Sequence, residues 1–270
     1  MLKKIGIGLA VLLVLIAGAV WYLFSNLDSL IKTAIETYGS AATQSQVGVD
    51  SVKLSISSGE GTISGLDVGN PAGFTSPNAL TLGAISVQVD TSSLAGNGPI
   101  VIKTIDIEQP QVTYEVAGGV GLTGISTKTN LSVLQYNVQS YAGGPSSAAP
   151  PQSNGKPARK EIIDDLYISG GQVSVIAAAL NGKGLSVPLP PIHLTGIGAG
   201  SSGATPGEIA SQILSAVTHE ATQVGSSALT QQVRSLATGA LQGAGGVAGG
   251  ALQGVGGTAG GSLGKVKSLF

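Results

Sequence analysis

The sequence predicts an α+β fold: an N-terminal transmembrane helix, an amphipathic helix, a mostly antiparallel, curved, groove-like β-sheet, a C-terminal helix and a Gly/Ala-rich tail. Three observations predict it. Over residues 47–116 apolar side chains recur at every second position in one short run after another, the period of strands with one buried face. Residues 5–24 form an uncharged apolar run behind Lys3 and Lys4. Segments before and after the alternating region place apolar residues three and four apart, the spacing of an amphipathic helix.

At about 1.5 Å per residue, the run 5–24 spans the roughly 30 Å of a bilayer core. The two lysines stay cytoplasmic by the positive-inside rule, which places the bulk of the chain on the far side of a single-pass anchor; if the source is a Gram-negative bacterium, that is the periplasm beyond the inner membrane. The competing reading is a cleaved signal peptide, with Ala17, Gly18 and Ala19 as its small-residue site. Against it, Val20, Trp21, Tyr22, Leu23 and Phe24 continue the apolar run where a polar region should begin.

An amphipathic helix follows through Leu27, Leu30, Ile31, Ala34, Ile35 and Tyr38, with Asp28 at its positive end and Gly39 placed to terminate it. Five strands come next, read as a meander with one apolar face. They carry Val47, Val49, Val52, Leu54 and Ile56; then Ile63, Leu66 and Val68; Leu80, Leu82, Ile85, Val87 and Val89; Ile100, Ile102, Ile105 and Ile107; and Val112, Tyr114 and Val116. The first two runs slip phase once, which places β-bulges near Ser51 and Gly65. Asn130 is positioned to cap a covering helix with Leu131, Leu134, Val138 and Tyr141 on its apolar side.

Residues 143–160, rich in Ser, Ala and Pro, read as a flexible linker. Residues 161–200 supply further strands through Ile162, Leu166 and Ile168, then Val173 and Val175, then Leu185, Val187 and Leu189. A turn at Asn181 to Gly184 joins the last two, and Pro188, Pro190 and Pro191 confine the third to a sheet edge. Thr205, Pro206 and Glu208 form a capping box that opens a C-terminal helix over 205–239, with Ile209, Ile213, Leu214 and Val217 as its stripe. The last segment, 240–270, repeats ALQGAGGVAGG as ALQGVGGTAGG. Its eleven-residue period suits a helix, but glycine at close to 1 kcal/mol each against alanine favours a mobile tail. The chain thus divides into an anchor (1–26), a helix plus five-strand sheet with its covering helix (27–142), the linker, the added strands, the C-terminal helix and the tail.

Composition excludes several functions. Thirteen basic against fourteen acidic residues give no field for nucleic acid, and the absence of cysteine removes disulfides, thiolate catalysis and cysteine-bound zinc. His193 and His219 have no Cys, Asp or Glu at ligand or triad spacing. Asp164 and Asp165 are adjacent and point to opposite faces of a strand. Gly119, Gly121 and Gly124 match GxGxxG without the helix or acidic residue that a dinucleotide site needs. The expectation is a non-enzyme with no catalytic residue, no metal and no cofactor.

GEGTISGLDVGNPAGF at 59–74, ALTLGAISVQVDTSSL at 79–94 and PIVIKTIDIEQPQVTYE at 99–115, behind a lipophilic anchor and helix, resemble the AsmA-like family of inner-membrane proteins. The resemblance also takes in NLSVLQYNV and PLPPIHLTGIG. It implies a periplasmic β-groove that accommodates or conducts phospholipid in outer-membrane biogenesis; this chain is too short to bridge the periplasm as the large members do. The groove candidates are the apolar strand positions Val52, Leu54, Ile56, Leu82, Ile85, Val87, Val89, Ile105, Ile107, Val112 and Tyr114. Five strands at about 4.8 Å make a face about 24 Å wide, which two helices of about 10 Å each could nearly cover. The apolar face is therefore either an ordinary closed core or partly open to acyl chains. A third reading is a non-enzymatic scaffold that binds another envelope protein through a sheet edge or the glycine-rich tail.

Overall fold

The computed structural model describes residues 26–117, 128–143, 159–180 and 184–259. The expected anchor at 5–24, the GxGxxG glycines, most of the linker and the end of the tail lie outside the described residues. Among those described, no helix is long and apolar enough to cross a membrane.

The fold is α+β. Helix α1 (Leu27–Thr43) precedes strands β1 (Val47–Ser55), β2 (Glu60–Gly69) and β3 (Asn78–Val89). The short helix α2 (Thr91–Leu94) leads to β4 (Ile100–Glu108) and β5 (Gln111–Glu115), and α3 (Asn130–Gly143) to β6 (Glu161–Ser169) and β7 (Gln172–Ile176). Strands β8 (Leu185–Pro188) and β9 (Ile192–Ile197) precede the long helix α4 (Pro206–Ala259). Residues up to Gly225 form one compact unit and those from Ser226 a second.

All nine strands join one open sheet, and it is mixed rather than wholly antiparallel. The expected five-strand meander is corrected at β5. Strands β4 and β5 do not pair with each other; both lie antiparallel to β3, as two lengths of one ribbon. That ribbon runs parallel to another made of β6 and β7, which in turn pairs antiparallel with β9 and β8. The sheet is thus six ribbons wide, with α3 inside the crossover between the parallel pair.

The phase slips have a common cause that single-strand reading misassigns to two local bulges. Val49 pairs with Leu66 and Ser51 with Ser64, so the ladder passes Asp50 and Gly65 without a shift. Carrying each register across the sheet puts Asp50, Gly65, Gly83, Gln109, Gly170 and Pro190 in one row, where every ribbon interrupts its pairing. Three of them take left-handed backbone: Gly65 at φ 61°, Gln109 at 51° and Gly170 at 66°. The row is a crease. One residue out of phase in each ribbon lets apolar side chains before and after it face the same side.

Just beyond the crease Val52, Ile63, Ile85, Ile107, Ile168 and Ile192 stand opposite one another across all six ribbons. β-Branched side chains pack well as cross-strand neighbours, and this row forms the spine of the core. Helix α3 lays Leu131, Leu134 and Val138 on that face, each nearly or wholly buried.

Asn130 is not the cap of α3. Thr129 and Ser132 cap it reciprocally, the Ser132 amide donating to Thr129 Oγ1 and the Thr129 amide to Ser132 Oγ, both at 3.1 Å. Asn130 is fully buried and turned to the sheet, where its Oδ1 accepts from the Glu115 amide at 2.9 Å and its Nδ2 donates to Asn70 Oδ1 and the Thr113 carbonyl, both at 2.8 Å. Glu115 is buried beside it. Its carboxylate accepts from the Thr75 amide and hydroxyl at 2.6 and 2.7 Å, the Ser76 amide at 3.0 Å and Asn70 Nδ2 at 2.9 Å. Burial alone would raise this pKa, but the Thr75 and Ser76 donors outweigh it and hold the carboxylate below its ordinary range. The network pins the 70–77 loop to β5 and α3.

Gly39 does not end α1, which continues to Thr43 and stops at Gln44 in left-handed conformation. Its lack of a side chain lets the helix approach β1, since a Cβ there would sit 3.1 Å from Val47 Cγ1. No α1 residue is buried, so the helix contributes little core. Its polar groups occupy the free edge of β1 instead: Ser40 Oγ accepts the Val47 amide at 2.9 Å and Glu36 Oε1 the Val49 amide at 3.1 Å.

Helix α4 opens on the expected capping box, with Thr205 and Glu208 bonded reciprocally. Gly225 brings it against Tyr114, where a Cβ would lie 2.9 Å from the ring. In the second unit the helical backbone continues from Ser226 to Ala259, past the expected boundary at 239. The first glycine-rich repeat and most of the second are therefore helical, as an eleven-residue period permits.

Candidate functional site: an apolar cavity between sheet and helices

The helices do not fill the space above the sheet. Between them and the strands is a cavity of about 280 Å³ within the first unit. Its floor crosses the crease: Leu66 and Val68 come from β2, Leu80 and Leu82 from β3, Ile107 from β4 and Ile168 from β6, with Pro110 at the break between β4 and β5. One wall is Leu134 and Val138 of α3; the other is Ala210, Ile213, Leu214 and Val217 of α4, a stripe at the three- and four-residue spacing of one helix face. Leu66, Leu80, Leu82, Ile213 and Leu214 are half-buried and Ala210 is exposed, so the cavity reaches the surface.

Among the described residues no charged side chain lines it. Thr43 is the single polar residue in the lining, and its groups are engaged: the hydroxyl donates to the Gly39 carbonyl at 2.8 Å and accepts the Ser45 amide, while its carbonyl accepts Asn137 Nδ2 at 2.9 Å. A site so lined has no partner for a polar ligand group, and burying one there costs about 1–3 kcal/mol. It suits a saturated hydrocarbon.

Of the predicted groove residues, Leu82 and Ile107 line the cavity. Val52, Ile85, Val112 and Tyr114 are buried elsewhere in the core. Val87, Val89 and Ile105 are half-buried, and Leu54 and Ile56 are exposed at 36% and 45%. Val87 and Ile105 pair with each other two positions from Ile85 and Ile107, so they continue the cavity floor along the same face. Sequence reasoning did not assign Leu66, Val68 and Leu80 to the site. They belong to the same alternating runs and were separable from the chosen set only by knowing where the helices stop.

The opposite face of the sheet holds a polar cluster. His193 Nε2 lies 2.8 Å from Asp165 Oδ1, and the His193 ring stacks on Tyr167 with centroids 4.2 Å apart and planes 14° from parallel. No acidic residue stands near His193 at ligand or triad spacing in the sequence; the pairing of β6 with β9 sets Tyr167 opposite His193 and Asp165 opposite Thr195, bringing together residues far apart in sequence. Both members of the pair are nearly half exposed. Among the described residues no group of three His, Cys, Asp or Glu is placed to hold a metal.

Compared with known proteins, the chain matches no family model and no curated protein.

Proposed function

We propose that this is an inner-membrane-anchored periplasmic protein that holds lipid, or helps transfer it, in building the cell envelope. The observation that supports the reading is the cavity: lined, among the described residues, by apolar side chains and Thr43, open to the surface, with its floor continued by half-exposed Val87 and Ile105. Burial of an acyl chain yields about 0.8 kcal/mol per methylene without any polar contact, which such a surface can supply. The apolar run at 5–24 supports the location, and the family resemblance is consistent with both.

The scaffold reading through a sheet edge has less support. The amides of Val47 and Val49 on the β1 edge are taken by α1, and β8 at the other end of the strand order closes on Pro188. Both devices discourage strand addition at β1 and β8, while β9, which also ends the strand order, carries neither.

Photo-crosslinking in cells tests the proposal. A photoreactive residue at Leu82 or Val87 should capture lipid, and one at Ser86, exposed between the inward-facing Ile85 and Val87, should capture little. Equal capture at all three, or none at Leu82, would overturn it.

A further inference from the structure

Resting on that lipid-holding reading, we infer that the cavity is a site for one acyl tail at a time, entered tail first, with the lipid headgroup left outside. Its size carries the first part. A cavity of about 150 Å³ accommodates one benzene ring. By that measure 280 Å³ takes about ten to twelve carbons, the terminal part of one ordinary acyl chain. Two chains side by side do not fit.

The walls cannot easily part to admit a second chain. Helix α3 is tied to α1 by Asn137 Nδ2 donating to the Thr43 carbonyl at 2.9 Å, and to α4 by Gln135 Nε2 donating to Ser215 Oγ at 3.1 Å. At Gly207 the helices α3 and α4 touch so closely that a Cβ would lie 3.3 Å from the Ala142 backbone. The floor is a hydrogen-bonded sheet whose central row, Ile63 apart, is buried. These contacts hold the cavity walls together.

Its chemistry carries the second part. With no charged lining and the Thr43 hydroxyl already bonded, a phosphate, carboxylate or amine inside would be desolvated without compensation. Recognition therefore depends on chain length and not on headgroup.

Competition binding tests this on the full chain in nanodiscs. Saturated fatty acids from octanoate to stearate displace a bound environment-sensitive fluorophore, with an Ala210→Phe variant in the same discs as the blank for partition into the bilayer. Ala210 is exposed at the cavity rim, so the larger side chain can enter the space without disturbing the core, and a thermal melt checks the fold. The result expected is a gain of about four-fold in affinity per added methylene, the equivalent of about 0.8 kcal/mol, up to about dodecanoate and then a plateau. Dodecylphosphocholine should bind as dodecanoate does, at one molecule per chain, and Ala210→Phe should abolish both. Affinity rising steadily to stearate, two chains bound per protein, or a strong headgroup preference would overturn the single-tail socket while leaving lipid holding in place. No displacement by any chain would overturn both.

Discussion

Asp50 on β1 and Gly65 on β2 face each other where both strands change phase, and the ladder on either side keeps its register. A Cβ on Gly65 would fall on the Asp50 carboxylate, and Gly65 holds a left-handed φ of 61°. Gly65→Ala combines backbone strain with a clash and should cost about 1–3 kcal/mol. Gly83 occupies the same crease with no positive φ and open space around its Cβ position, so Gly83→Ala should change stability by less than about 0.5 kcal/mol. Denaturant melts of the two variants measure the difference. Equal losses would mean that the crease is not specified at Gly65.

Glu115 predicts an acid-sensitive fold. A carboxylate held below its ordinary pKa contributes stability above the unfolded value and loses it as pH falls through the folded value. Stability should therefore decline from the ordinary carboxylate range downward. Glu115→Gln turns an amide NH₂ toward donors and should cost about 1–3 kcal/mol at neutral pH. In urea melts the gap between wild type and variant should narrow on acidification; a gap independent of pH would show that the charge does not matter.

On the outer face the same reasoning predicts almost nothing. The His193–Asp165 pair is nearly half exposed, and such pairs contribute about 0–1 kcal/mol. His193→Ala should leave melting nearly unchanged and lipid capture at Leu82 unaffected. A loss of capture would move function to the outer face.

Topology provides a separate check on location. A reporter fused after Ser45, beyond α1, should be active in the periplasm, and the mature protein should begin at its original N-terminus. Cleavage near Ala19 would favour the signal-peptide reading.

Much of this fold was legible because alternation survives in each strand taken alone. The spine from Val52 to Ile168 lies within runs visible in the sequence, whereas Ile192 belongs to β9, a strand its short run among prolines and glycines did not announce; the helix stripes at Leu131, Leu134 and Val138 and at Ile213, Leu214 and Val217 were equally plain. What single-strand patterns hide is anything defined across strands. A phase slip at Gly65 and another near Ser51 read as two bulges, since only the aligned registers reveal one crease. The break at Gln109 and Pro110 read as a turn between paired strands because nothing local says that both lengths share β3. Asn130 carries the signature of a cap, and its use in the Glu115 network depends on a loop sixty residues earlier in the chain. The cavity itself is a deficit of packing, which composition cannot register.

The parallel joint between the β4/β5 and β6/β7 ribbons has a consequence for how the protein comes into being. Strands β1 to β5 can assemble from neighbouring hairpins as the chain emerges, because each pairs with a ribbon close in sequence. The next pairing must wait for the whole segment between Glu115 and Glu161, and contacts of long sequence separation form slowly. During that interval the β4/β5 edge, with Ile102, Ile105, Ile107 and Val112 along it, is unpaired and adhesive. Isotope labelling of nascent-length fragments should find protected amides in β2 and β3 before any in β6. The interval is when this chain is most exposed to aggregation, and any chaperone it meets should engage that edge.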